Sequence, residues 1–160
     1  MSVEDISAGQ ARLSECNCLA IRQAARHVTQ LYDQLFASSG LRATQFAILS
    51  RLRRQGPMTI NALAALLVMD RTTLGRNILP LQRDGLIEVV ASPTDRRRRE
   101  LRLTDAGLAK HAAALECWSV AQQRFEDVFG GERASALRRL LREVVAADFS
   151  ANSGKGSNPA

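Results

Sequence analysis

Residues 59–86, TINALAALLVMDRTTLGRNILPLQRDGL, leave a folding chain few options. Thr59 and Asp70 are residue types whose side-chain oxygen closes the first turn of a helix. Each stands directly before a run of helix-forming residues. Only Val68, Met69 and Asp70 separate the two runs. The spacing predicts a short helix over 60–67, a tight turn, and a second helix from Arg71 that Gly85 ends. Pro80 falls inside the second helix, where it removes one backbone hydrogen bond and bends the axis, but it lies beyond the first turns.

The next stretch changes period. LIEVVA (86–91) is rich in β-branched residues and reads as a strand, and SPTD (92–95) reads as a turn. RELRLT (99–104) alternates charged and apolar residues, as a half-buried strand does. The two strands predict a hairpin with Arg96, Arg97, Arg98 and Arg99 near its tip. A strand-like backbone would point neighbouring guanidinium groups in opposite directions, and Asp95 is placed to pair with one of them.

Helices frame this centre. Ser14 is placed to cap one running to about Ser38, with Gly40 as its stop. Its stripe of Ile21, Ala24, Val28, Leu31 and Leu35 is long enough to call for a partner helix. Thr44 is placed to cap a helix through about Gln55, with Phe46, Leu49 and Leu52 inward, and Gly56–Pro57 breaks it. Thr104 is placed to cap a long helix to about Phe129. Gly130–Gly131 interrupts the chain, and a last helix covers about 132–148. The fold class expected is mainly α with a small β-hairpin, an α+β arrangement.

Composition narrows the function. From Arg42 to Arg102 there are 12 arginines, no lysine and five acidic residues, whereas the whole chain carries a net charge of +6. All the positive excess therefore sits in the middle, and arginine is the side chain that forks onto phosphates and base edges. Such a centre reads as a module that binds a polyanion. No apolar run approaches the roughly 20 residues of a membrane span. The opening MSVEDISAGQ is polar and acidic, unlike a signal peptide. Three cysteines are too few for a disulfide scaffold, so a reducing cytoplasm is expected. Cys16 and Cys18 point to nearly opposite sides of a helix, and His27 and His111 are the only histidines, so neither a metal site nor another cofactor is expected. Both histidines are expected on the surface. No nucleophile–base pairing or glycine-rich phosphate loop appears, so the chain does not read as an enzyme.

Two helices joined by a tight turn, followed by a hairpin with a basic tip, make a winged helix-turn-helix. In that geometry the second helix lies in the major groove of double-stranded DNA. Arg71, Thr72, Thr73 and Arg76 occupy its first turn and a half, where Arg grips guanine and Thr meets a thymine methyl or donates a hydrogen bond. The wing arginines suit a narrow minor groove with focused negative potential. Arg51, Arg53 and Arg54 form either a solvated helix face or a set of phosphate contacts.

Three segments together resemble the MarR family of bacterial transcription regulators: LRATQFAIL, LAALLVMDRTTLGRNILPLQRDGLI and PTDRRRRELRLTDAG. The resemblance spans about residues 14–148. It implies a two-fold homodimer with residues 14–40 and 104–149 as a helical dimerisation region and 41–103 as the DNA-binding region. Residues 1–13 read as a flexible N-terminus and 150–160 as a disordered tail. Arg97 matches the wing-tip arginine that enters the minor groove, Asp95 matches its orienting acid, and Arg96 and Arg98 flank it. The family commonly binds a palindromic operator, represses nearby genes, and releases DNA when a small, often phenolic, ligand or an oxidant acts.

His27, Tyr32, Phe46 and Trp118 are candidates to line a cavity for a small aromatic effector. Cys18 is the redox candidate. It occupies the reactive-cysteine position of the organic-hydroperoxide-sensing branch, with Tyr32 fourteen residues on, Arg22 one turn away to activate the thiol, and Ala43 where that branch has a second tyrosine. The bland reading makes all three cysteines small buried hydrophobes. From another class, a winged helix also serves as a protein-interaction module whose basic face meets an acidic partner.

Overall fold

The computed structural model describes residues 15–149. In chain order they form α1 (Asn17–Phe36), a 3-10 turn (Ala37–Ser39), α2 (Ala43–Gln55), α3 (Ile60–Leu67), α4 (Arg71–Arg83), β1 (Ile87–Ala91), β2 (Arg99–Leu103), α5 (Asp105–Phe129) and α6 (Gly131–Ala146). The mainly helical fold with one small hairpin is as expected. The Ser14 cap and both terminal segments read as loose lie outside the described residues.

Local chemistry explains most boundaries. Thr59 Oγ1 accepts from the Ala62 N–H at 3.2 Å, and Asp70 Oδ1 accepts from the Thr73 N–H at 2.8 Å. Both are the caps the sequence predicts. α2 differs: it starts at Ala43, and Thr44 does not cap it. Asp33 of α1 accepts from the Ala43 N–H at 2.7 Å and Gln45 accepts from the Arg42 N–H at 2.9 Å. The donors left over at this helix start are thus met from α1 and from within α2. α1 ends at Phe36, short of Ser38, because the Ser39 hydroxyl donates to the Phe36 carbonyl at 2.7 Å and the chain tightens into the 3-10 turn.

Pro80 does not end α4, which continues to Arg83 with Ile78 and Leu81 buried on either side of it. Lacking an N–H, Pro80 leaves the Arg76 carbonyl without its helical donor. Val68, in the turn between α3 and α4, adopts φ 52° and ψ 46°, a left-handed conformation that a β-branched residue takes only under strain.

β1 and β2 pair antiparallel with Ile87 opposite Leu103 and Ala91 opposite Arg99. On the exposed face Arg102 reaches across to its strand partner Glu88, Nη2 to Oε1 at 2.8 Å. A further pairing was not foreseen. Met58, just before α3, exchanges both backbone hydrogen bonds with Leu101, at 3.2 and 2.8 Å. A single bridging residue after Gly56–Pro57 shows no alternation by which a sequence could reveal it.

The start of α5 is seated on the hairpin. Thr104 Oγ1 accepts from the Gly107 N–H at 3.0 Å and donates to the Gly85 carbonyl at 2.6 Å. A Cβ built on Gly107 would lie 2.0 Å from the Leu86 carbonyl oxygen, so only glycine permits this approach.

The chain divides into two compact units, one ending at Ala121 and the other beginning at Gln122. In the first, Phe36, Ile48, Leu49, Leu63, Leu74 and Leu81 are fully buried and join α1–α4 in one core. In the second, the turn at Gly130 (φ 92°) is flanked by the Arg133 guanidinium over the Phe129 ring at 4.4 Å and by an Arg138–Glu126 ion pair at 2.9 Å.

Candidate nucleic-acid interface and ligand cavity

Arg71, Thr72, Thr73 and Arg76 are all exposed on the first turns of α4. Their roles divide. The Thr73 hydroxyl and then the Thr73 N–H donate to Asp70, and together they hold that carboxyl below its ordinary value of 3.8. The Thr73 hydroxyl thus acts on the Asp70 carboxyl at the cap. Asn77 Nδ2 donates to the Thr73 carbonyl at 2.9 Å. Arg71, Thr72 and Arg76 carry the outward hydrogen-bonding capacity of this helix start.

The hairpin tip departs from expectation in two ways. Arg96, Arg97 and Arg98 lie in the turn, and only Arg99 is on a strand, so the alternation of a strand does not separate them. The turn geometry and exposure of all four to solvent, not a pleat, relieve their crowding. Asp95 pairs with no guanidinium among the described residues. Its Oδ1 accepts from the Arg97 backbone N–H at 3.0 Å, and its carbonyl accepts from the Arg98 N–H at 2.9 Å. It shapes the turn rather than gripping a side chain. Below the tip, the Ser92 N–H donates to the Arg98 carbonyl at 2.9 Å, and Ser92 is buried with its hydroxyl 3.1 Å from that of Thr94.

α4 and the hairpin are neighbours. A groove of about 330 Å³ runs between them, with Gly75, Ile78 and Leu79 on one side and Val89, Arg99 and Leu101 on the other.

A second cavity, of about 420 Å³, is open to solvent in the same compact unit. Tyr32 and Phe36 of α1, Leu67 of α3 and Trp118 of α5 line it, and α2 supplies Ala43, Phe46, Ala47, Ser50, Arg51 and Arg54. The structure thus brings three of the four cavity candidates together: Tyr32, Phe46 and Trp118. His27 is not with them. It is exposed beside a shallow depression on α1 shared with Arg22 and Arg26. Five residues on a helix turn the side chain by about 140° between His27 and Tyr32. Ser50, Arg51 and Arg54 were not expected here, although steps of four along α2 from Phe46 reach Ser50 and Arg54, and a step of four from Ala47 reaches Arg51.

His111 is buried, not on the surface. Its ring stacks on Phe46 with centroids 5.1 Å apart and planes 4° apart, and Nε2 is 3.0 Å from Ser50 Oγ. Burial, then the nearby Arg53 charge, push its pKa below the ordinary 6.5.

Cys18 is exposed, and Cys16 and Cys117 are half-buried, so the reading of all three as buried hydrophobes does not hold within the chain. The Cys117 thiol lies 3.6 Å from the Ser38 hydroxyl. Tyr32 lines the cavity and Cys18 does not. Among the described residues no three His, Cys, Asp or Glu side chains cluster as metal ligands, and no helix is long and apolar enough to cross a membrane.

Comparison with known proteins agrees with this geometry. The MarR family model matches residues 41–98, from just before α2 to the wing tip. The transcriptional repressor NicR of Pseudomonas putida is 27% identical over 132 residues, covering 82% of this chain and 83% of NicR. The M. tuberculosis transcriptional regulator MosR, solved in complex with DNA, is 34% identical, with a TM-score of 0.72 over 82% of this chain and 94% of MosR. BpsR of Bordetella bronchiseptica, whose DNA binding is regulated by 6-hydroxynicotinic acid, is 28% identical, with a TM-score of 0.73 over 84% of this chain and 96% of BpsR. The chain belongs to the MarR family of winged helix-turn-helix, DNA-binding transcription regulators.

Proposed function

We propose that two copies of this chain form a repressor that grips a palindromic operator and lets go when a small aromatic acid fills the 420 Å³ cavity. The observation that supports DNA reading is that α4 and the arginine-tipped hairpin flank one groove, with the Arg71 end of the helix and the arginine tip both exposed. Arg71, Thr72 and Arg76 meet base edges in the major groove, and the Thr73 methyl supplies an apolar contact. Arg97 enters the minor groove from a turn shaped by Asp95, while Arg96 and Arg98 meet phosphates. Residues 41–103 act as the reading module, and 15–40 with 104–149 as the pairing region.

Pairing is supported by apolar side chains the single chain leaves in water. On α1 these include Leu19 and Ile21; on α6 they include Leu140, Leu141, Val144 and Val145. The four α6 side chains share one face, which is more apolar than a solvated helix face sustains, and Leu19 and Ile21 leave α1 apolar on two sides.

The cavity suits a flat acid. Tyr32, Phe46 and Trp118 offer ring faces and edges, and Arg51 and Arg54 offer positive charge for a carboxylate. BpsR lends weight to an aromatic acid of the 6-hydroxynicotinate kind. Because α2 forms one wall, a ligand there touches the reading module directly.

In-vitro selection of bound duplexes, repeated with and without millimolar 6-hydroxynicotinate, tests the proposal. Enrichment of a two-fold site, loss of retention with ligand, and sedimentation at twice the chain mass are expected. Retention without sequence preference, or no retention at all, removes the operator reading and favours a basic face that meets an acidic protein.

A further inference from the structure

His111 sits behind the α2 wall of the cavity and does not line it, yet it touches two residues that do. Its ring covers Phe46, and its Nε2 is 3.0 Å from the Ser50 hydroxyl. That hydroxyl has a single proton to give. When Nε2 is bare, the Ser50 proton turns back to the imidazole, and the cavity sees oxygen lone pairs. When Nε2 carries a proton, it donates to Ser50, and the Ser50 proton is free to turn toward the cavity. The imidazolium imposes the second arrangement, because both ring nitrogens are then donors.

The charges around the ring are one-sided. From α2, Arg53 bears on it with a positive charge. From α1, Phe36 stands behind Phe46, ring centroids 4.8 Å apart, and brings no charge. On α5 itself the adjacent residue is Lys110. Among the described residues no carboxylate acts on it. A charged imidazole here has no counter-ion, and a neutral one is favoured near pH 7. An anion resting against Ser50 would be the missing counter-charge, and it would meet a donor instead of lone pairs.

We propose that His111 ties ligand charge to a proton: an anion seated against Ser50 binds together with one proton taken from solvent onto the His111 ring, whereas a neutral ligand of the same shape binds without it. This rests on the cavity being the effector site. No covalent bond changes. The coupling is reciprocal, so the anion strengthens proton binding by the same factor by which the proton strengthens anion binding. His111 is a positioning residue that acts through Ser50. It makes an aromatic acid bind more tightly in mildly acidic conditions.

The test is Trp118 fluorescence of the full chain titrated with benzoate, with 6-hydroxynicotinate and with uncharged benzamide, from about pH 5.5 to about pH 8. For the two acids, affinity falls by at least about threefold as pH rises across this range, and benzamide shows no such slope. His111→Phe keeps the ring stack and loses the proton and the hydrogen bond. His111→Gln keeps a hydrogen-bonding partner for Ser50 and loses the proton. Both variants flatten the slope, and His111→Gln retains acid binding near neutral pH. The His111 ring resonance of the wild type titrates at higher pH when benzoate is saturating. A purely structural histidine would shift affinity equally at every pH. If the acids bind and both variants keep the wild-type slope, the coupling is wrong and the cavity reading stands. If none of the three probes binds, the cavity reading fails and takes the coupling with it.

Discussion

Asp95 and Arg97 are joined side chain to backbone: Oδ1 of Asp95 accepts from the Arg97 N–H at 3.0 Å, while the Arg97 guanidinium is exposed and pairs with no carboxylate among the described residues. The acid therefore sets the direction in which the arginine leaves the chain, without occupying its charge.

This relationship separates two wing variants. Asp95→Asn keeps an oxygen that can accept from the Arg97 N–H, so operator affinity should stay within about twofold of wild type, whereas Asp95→Ala should lose several-fold. Arg97→Ala should lose at least as much and lower the salt dependence of binding by about one counter-ion. Fluorescence anisotropy at two or more salt concentrations reads all three. Equal affinity for Asp95→Ala and wild type would show that the turn holds without its acid.

Of the glycines among the described residues, Gly107 leaves the least room for a Cβ. Gly107→Ala would drive a methyl to 2.0 Å from the Leu86 carbonyl oxygen. The start of α5 must then move off the hairpin, at a cost of about 1–3 kcal/mol. Urea unfolding should show the lower midpoint, and Gly131→Ala, which meets nothing within 4 Å, is the control.

Val68 offers a gain. It is 70% exposed, so its side chain contributes little burial, yet its backbone is left-handed. Val68→Gly relieves about 1–2 kcal/mol of steric cost and loses about 0.5–1 kcal/mol to the greater freedom of the unfolded chain. A small net rise in Tm is expected, and a fall would mean that the turn is not strained at this residue.

His111 gives the stability a pH dependence of known sign. Its pKa in the folded chain is below the ordinary 6.5, so below that pH the unfolded chain binds more protons, and stability drops as the solution is acidified. Above about pH 6.5 the ring is neutral in both states and this contribution is flat. His111→Phe should therefore close part of the gap in Tm between pH 7.5 and pH 5.5. An identical gap in variant and wild type would place the sensitivity elsewhere.

Much of this architecture was legible because single residues carried it. Thr59, Asp70, Gly85 and Thr104 each act within a few positions of themselves, and the boundaries they imply agree with the structure. Helical period likewise pointed to Phe46, Leu49 and Leu52, all of which are buried. What escaped depends on contacts distant in sequence. The start of α2 is decided by Asp33, ten residues upstream. The burial of His111 depends on Phe46 and Ser50, more than sixty residues away. Residue type points His27 to the cavity, but the helical angle from Tyr32 turns it away. Asp95 was assigned a side-chain partner when the nearer backbone N–H was available, and the wing arginines were given a strand's geometry that the chain adopts only from Arg99.

The bridge between Met58 and Leu101 has a mechanical consequence. It welds the entry to the paired helices onto the central rib of the hairpin, so groove reader and wing travel as one casting. Side chains at the tip and on the helix can be exchanged without touching this backbone bridge, which leaves the gap between the two prongs as it is. In the dimer proposed above, an effector is therefore expected to swing each casting whole, altering the separation of two forks instead of the shape of either.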